Sequence, residues 1–308
     1  MRTGQTVDKS TSLSNVHSGG SRILSTLTGT WGPRAFWLAV AVAGTWSIGG
    51  ALDGRSGAVR TTVTIGAWLV WGTGVVALVV PSALGLTAMR MMCALACGVA
   101  AVSWGSGASP TTGASFVACA LIFGLLAGGA EFGQRCVQAS AYGDEHRFLL
   151  RPPAAFLPPM AIAGVVWAAA VIAAPLLLAA QQWISGGIVA LIAVTLTWVL
   201  LPRFNALSQR WFVVVPAGVV LHDQVVLAET VMFTRADLMD VDLALADTAA
   251  ADFTGPAAGH AIEISLGSMA TVLLAPTKES PKGRALHVQS FIIAPSRPGA
   301  VLLATHPH

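Results

Sequence analysis

The chain has 308 residues, 55% of them hydrophobic and only 10% charged. A soluble domain carries about 25% charged residues; here the deficit lies before Arg203, as in an integral membrane protein with a water-soluble part after it. Residues 1–204 hold 11 Lys+Arg against 5 Asp+Glu, and residues 205–308 hold 6 against 9, so the basic excess belongs to the membrane half and argues against a nucleic-acid partner.

Residues 1–34 are polar and rich in Ser, Thr and Gly. No cleavable signal is evident, because the first long apolar run starts at Ala35 and is long enough to span. The tail reads as disordered and cytosolic. Residues 35–204 read as a six-span domain, with runs near Ala35–Leu52, Thr62–Leu86, Met91–Ala108, Thr112–Ala130, Met160–Ala180 and Ile184–Leu201. A helix crosses the hydrocarbon in about 20 residues, so each run is adequate. The third is short and broken by Gly98, Gly105 and Gly107, and a tight turn is expected around Arg90. Whether the second and third are separate helices stays open.

Lys and Arg near the spans collect on one set of loops: 1–34, Arg90, 131–158 and the segment after 202. Positive charge stays cytosolic, so both termini are expected in the cytosol of a cell with this protein in its inner membrane. No Asp, Glu, Lys, Arg or His is expected at mid-span, which disfavours a proton- or ion-coupled transporter. Pro81 and Pro175 fall within the expected spans and can kink them. Gly124 with Gly128, and Gly129 with Gly133, have the spacing that lets helices approach closely, inside the bundle or across a dimer. Trp31, Trp37, Trp104, Trp183 and Trp211 near span ends read as an aromatic belt. Cys93, Cys97, Cys119 and Cys136 include no CxxC pair. They read as small buried hydrophobes, not as a disulfide framework or zinc site.

The inner loop 131–158 holds the one polar constellation of the membrane half. Glu131 and Arg135 are spaced to pair on a helix that extends the fourth span. Tyr142, Asp144, Glu145 and His146 follow, then Arg147 and Arg151, which could face lipid phosphates. Carboxylate and His are acid–base and metal-ligand types. Three consecutive residues on a helix diverge, however, and only His222 with Asp223 lies near by topology. The preferred reading is a structured platform under the membrane, facing lipid or the C-terminal domain. No cofactor or metal is expected.

Beyond Trp211 the pattern becomes short β-like runs. Trp211–Val215, the turn Pro216-Ala217-Gly218 and Val219–His222 read as a hairpin. Val225–Leu227, Thr230–Phe233, Asp237–Leu245, Ala261–Leu266, Ala270–Leu274 and Leu286–Ile293 are further candidates, and Pro298–Ala304 reads as a closing helix. The fold class is therefore an α-helical polytopic bundle followed by a small, mainly β cytosolic domain over 205–308. The run from Arg210 to Leu221, the segment Thr234-Arg235-Ala-Asp237-Leu238 and the step Pro295-Ser-Arg-Pro298-Gly resemble the PH-like domains that follow membrane spans in bacteria. That resemblance implies a binding or scaffold module. The domain's acidic balance departs from the basic pocket of a lipid-phosphate binder. The membrane half resembles multi-span proteins of GC-rich, actinobacterial-type bacteria in composition, with 14 Arg against 3 Lys.

No nucleotide-binding glycine motif, nucleophile elbow or zinc-protease signature is present. His222, His260, His287, His306 and His308 are scattered. The expected activity is non-catalytic: protein binding, scaffolding or self-association beside the bilayer. A small transporter or channel, and a membrane enzyme using residues 131–151, remain as alternatives.

Overall fold

The computed structural model describes residues 27–276, 280–281 and 283–305. The expected disordered tail falls largely on 1–26, and His306 and His308 on the last residues, all outside that range. Leu27–Trp31 forms a π-helical turn. Six long helices follow: α1 Gly32–Ala51, α2 Gly57–Val79, α3 Ala83–Gly105, α4 Pro110–Gly128, then, after a short helix α5 (Ala130–Gln138), α6 Leu157–Ala179 and α7 Trp183–Ser208. Their starts are written in serine and proline. Ser56, Ser82 and Ser109 accept from the amides of Val59, Gly85 and Thr112, which satisfies donors with no partner in the first turn. Proline occupies the first turn of α1, α4 and α6, where its missing N–H costs nothing.

Helices α2, α3, α4, α6 and α7 are long and apolar enough to cross a membrane. With its 20 residues, α1 has the length, roughly 30 Å. It is diluted by Gly, Ser, Thr and Trp and falls outside that apolar group of five. Its Trp37, Val40, Gly44, Ser47 and Ala51 are buried. Trp37 stacks on Phe123 of α4 at 4.7 Å and donates to the Trp71 carbonyl at 2.9 Å. It is therefore core, not belt, and Trp211 lies in a strand; Trp31, Trp104 and Trp183 are exposed.

The second and third spans are displaced from their expected places. The chain turns at Val80-Pro81-Ser82, so Pro81 separates two helices and kinks neither. Arg90 sits two turns inside α3, not at the turn expected there. The reason is local. Pro81 and the cap Ser82 make a strong stop and start, whereas arginine is a good helix former. Pro175 does lie inside α6.

The β-domain starts before α6. Strand β1 (His146–Leu149) precedes the α6–α7 hairpin, and β2 (Trp211–Val215), β3 (Gly218–His222) and β4 (Val231–Thr234) follow it. These four form an antiparallel sheet in sequence order. Gly218 has φ +152°, and a β-carbon there would collide with the Phe233 carbonyl, so the β2–β3 turn needs glycine. The second sheet has the order β5 (Leu238–Leu243), β7 (Ile262–Leu274), β8 (Arg284–Ile293), β6 (Ala251–Asp252), with β6 parallel to β8. The two expected strands 261–266 and 270–274 are one strand, β7, bulged between Ser265 and Ala270. Val225–Leu227 is a turn with a single bridge from Leu227 to Leu274, because Asp223 draws the Val225 amide back onto its own carboxylate at 3.0 Å. Helix α8 (Pro298–Thr305) closes the domain, with Val301 buried.

The inner faces of both sheets share one core: Phe148, Leu150, Phe212, Val219, Ile264 and Phe291 are among its members. Alternation in β1 sends Leu149 to the opposite face, where it joins the bundle's core with Leu86, Phe132, Cys136 and Val137. Trp211 packs there too. One short strand thus contributes to a hydrophobic core in each half.

Candidate functional site

The expected site residues gather where bundle and β-domain meet, and the geometry starts with α5. Gly129 takes an extended conformation and breaks the helix after α4, so α5 is a separate amphipathic piece. Its buried side carries Phe132, Gly133, Cys136 and Val137. A β-carbon at Gly133 would strike the Leu149 side chain, so glycine lets β1 lie close. Gly124 has the same role against Cys93 of α3. Gly128 borders open space, and a β-carbon on Gly129 would meet only the preceding turn's carbonyls. The two glycine pairs therefore do not form one continuous packing stripe.

The polar side of α5 treats β1 as a strand would. Gln134 donates to the Arg147 carbonyl and accepts from the Leu149 amide at 3.1 Å. One turn later, Gln138 donates to the Glu145 carbonyl at 2.9 Å and accepts from the Arg147 amide at 2.8 Å. The other edge of β1 pairs with β2. Unpaired edges invite foreign strands, and here the edge is covered by two primary amides.

The remaining residues of the loop spread out. Glu131 does not pair with Arg135. It meets Arg297, just before α8, at 3.2 Å, because Arg135 lies against Gly29 in the first turn. Glu145 binds Arg147 at 2.9 Å, and that hydrogen bond holds its carboxyl below the usual carboxylate range. The Arg147 guanidinium lies 5.5 Å from the Trp211 ring centre. Trp211 stacks on His222 at 5.0 Å, and His222 Nδ1 meets the Thr230 hydroxyl at 2.6 Å. Burial holds the His222 imidazole below its ordinary pKa, with the nearby Arg147 acting in the same direction and Asp223 opposing. Arg151 donates to the His260 carbonyl. Arg147 and Arg151 are thus tied to protein groups. Tyr142 and Asp144 are exposed on the turn before β1, and His146 is exposed at the strand's first position. Among the described residues no three His, Cys, Asp or Glu side chains converge to hold a metal.

The strongest polar feature of the junction is Arg210 with Asp223, both fully buried. Arg210 Nε donates to both carboxylate oxygens at 2.8 and 2.9 Å, and Nη2 to Oδ2 at 2.7 Å. Nη1 reaches the Arg151 carbonyl at 2.6 Å and Nη2 the Thr254 carbonyl at 3.2 Å. The guanidinium joins β2, the end of β3, the segment after β1 and the segment after β6. A buried ion pair survives only when its remaining donors and lone pairs are satisfied, as here. Its signal was present in the chain. The 215–218 turn sets the hairpin register at Trp211 opposite His222, which puts 210 across from 223. Gln134 and Gln138 had no comparable signal, since two glutamines a turn apart are ordinary on a helix surface.

Burial raises the Cys136 thiol to about 11, against the pull of nearby Arg90. The arrangement fixes one body to another and offers a polar, exposed turn at its edge. No protein-family model matches the chain, and searches of curated proteins and of solved structures find no match either.

Proposed function

We propose that this is a multi-pass protein of the cell (inner) membrane whose cytosolic PH-like domain binds or scaffolds a protein partner, without catalysis. The general shape supports the PH-like reading: two sheets over one core, closed by a C-terminal helix. The basic residues on the domain's side of the bundle support a cytosolic placement.

The observation that carries the binding role is on the second sheet. Met239 in β5 and Met269 in β7 are 73% and 68% exposed. Met239 lies where the β5–β7 ladder is interrupted, and Met269 where the β7–β8 ladder is. Methionine adapts to irregular partners, and exposed apolar side chains in a group mark interaction surfaces. Asp237, Asp240 and Asp242 lie in and beside β5, so the fitting partner is apolar with a basic rim, or a second copy. Native mass spectrometry of gently extracted full-length protein tests this. A partner at fixed stoichiometry should be lost from Met239→Glu/Met269→Glu with the domain still folded. A partner retained by that variant, or none with wild type, rejects the reading.

A transport role has one observation in its favour: Pro175 of α6 lines a cavity in the bundle. Solute flux in proteoliposomes that is unchanged by Pro175→Ala would count against that path.

A further inference from the structure

Two cavities lie side by side in the bundle, the first at the end away from the β-domain and the second running from that end along α1 as far as Trp37. The first, about 420 Å³, is enclosed by the last turns of α1, α3 and α6 and the first half of α2. The second, about 320 Å³, lies between α1 and α2 above Phe116. Both sizes are in the range of small-molecule sites, about 300–1,000 Å³. They share a wall of Ile48, Leu52, Ala67, Val70 and Val99. They exist because α2 is held mainly at one end. Its buried residues are Gly74, Ala77 and Leu78, all in the last turns.

The linings are largely apolar, aliphatic in the first and with Trp37, Trp68, Trp71 and Phe116 in the second, which disfavours filling by water. Each has one cation: Arg55 in the first and Arg60 in the second. Neither forms an ion pair among the described residues. Asp53, the nearby acid in sequence, lines neither cavity. Arginine near a helix end holds its guanidinium at the membrane interface, where a phosphate is its preferred partner.

We infer that the paired cavities hold one anionic diacyl phospholipid from the leaflet on that side. One chain occupies each cavity, and the phosphate lies against Arg55 and Arg60. Two apolar slots with a shared wall match two chains on one head. Two guanidinium groups with no ion-pair partner among the described residues favour a head of net negative charge. A zwitterionic lipid would offer the same phosphate, but its own cation competes with the arginines for that charge, so a head with net negative charge is favoured.

The test uses full-length protein equilibrated with equal amounts of phosphatidylglycerol and phosphatidylcholine bearing identical chains, read by native mass spectrometry. Wild type should retain one phosphatidylglycerol, preferred by about tenfold, equivalent to about 1.4 kcal/mol. Arg55→Gln/Arg60→Gln should retain one lipid with no preference. Gly66→Phe should retain little of either, since Gly66 lines the first cavity and a β-carbon there meets open space; an unchanged thermal unfolding midpoint shows that the fold is kept. Absence of retained lipid, equal retention of both lipids by wild type, a preference that survives loss of both arginines, or full retention by Gly66→Phe would each overturn the inference.

Discussion

At the residue scale, the Arg210–Asp223 pair holds the junction. Removing one partner leaves the other charge buried and alone, a loss of about 3–5 kcal/mol. Arg210→Ala should therefore release the β-domain to proteolysis while the helices still insert. Limited digestion followed by mass analysis reads this directly. His222 makes a second prediction. Its folded pKa is below the ordinary 6.5, so the unfolded state binds the proton more readily. The associated stability is fully present above about pH 6.5 and declines as pH falls toward the lower folded value. Glu145, also depressed, adds a loss in the same direction at lower pH, below the usual carboxylate value. Thermal unfolding between pH 7 and 5 should show a decline that His222→Asn flattens, because asparagine can keep the Thr230 contact without titrating. Much at this scale was legible: the hairpin turn alone puts 210 opposite 223. The Glu131–Arg135 pairing failed because helical spacing says nothing of a competing arginine, Arg297, from 166 residues later.

At the element scale, β1 is too short to persist alone, since isolated strands need neighbours on both sides or a covered edge. Gln134 and Gln138 supply that cover. Their replacement by alanine should weaken β1 by about 0.5–1.5 kcal/mol per lost hydrogen bond. Hydrogen exchange at the Arg147 and Leu149 amides should speed up, while Phe148, which faces β2, changes less. Exchange that rises equally at all three would mean the strand opens as a unit, and the glutamines then act only through the whole junction. The strands after Trp211 were visible as β-branched runs between turn residues. β1 was not, because four residues between a polar turn and two prolines carry too little pattern to separate strand from loop. The position of the α2–α3 turn was missed for a different reason. The Pro81 stop and the Ser82 cap act on the backbone itself and outweigh a single charge at Arg90.

At the scale of the whole molecule, the membrane half and the domain are interleaved in sequence. A fragment beginning at Asn205 lacks β1 and the α5 glutamines that support it. Expressed alone it should expose the β2 edge and aggregate. Addition of a synthetic peptide spanning 144–152 should restore part of its solubility, measured by sedimentation. The division into helical and β halves was readable from composition. The borrowing of a strand across that division was not, since pairing between residues so far apart leaves no local trace.

That borrowed strand has a consequence for how the protein is made. β1 leaves the ribosome about 60 residues before β2, and everything between them is the α6–α7 hairpin. The two strands can meet only if the chain enters the bilayer and comes back to the side it left. A hairpin that stalled half-way, or a single helix threaded the wrong way, would strand β1 and β2 on opposite faces. The sheet would then never close and its apolar edge would stay open to quality-control proteases. Completion of the domain is, in effect, a parity check on membrane insertion, performed by the chain on itself.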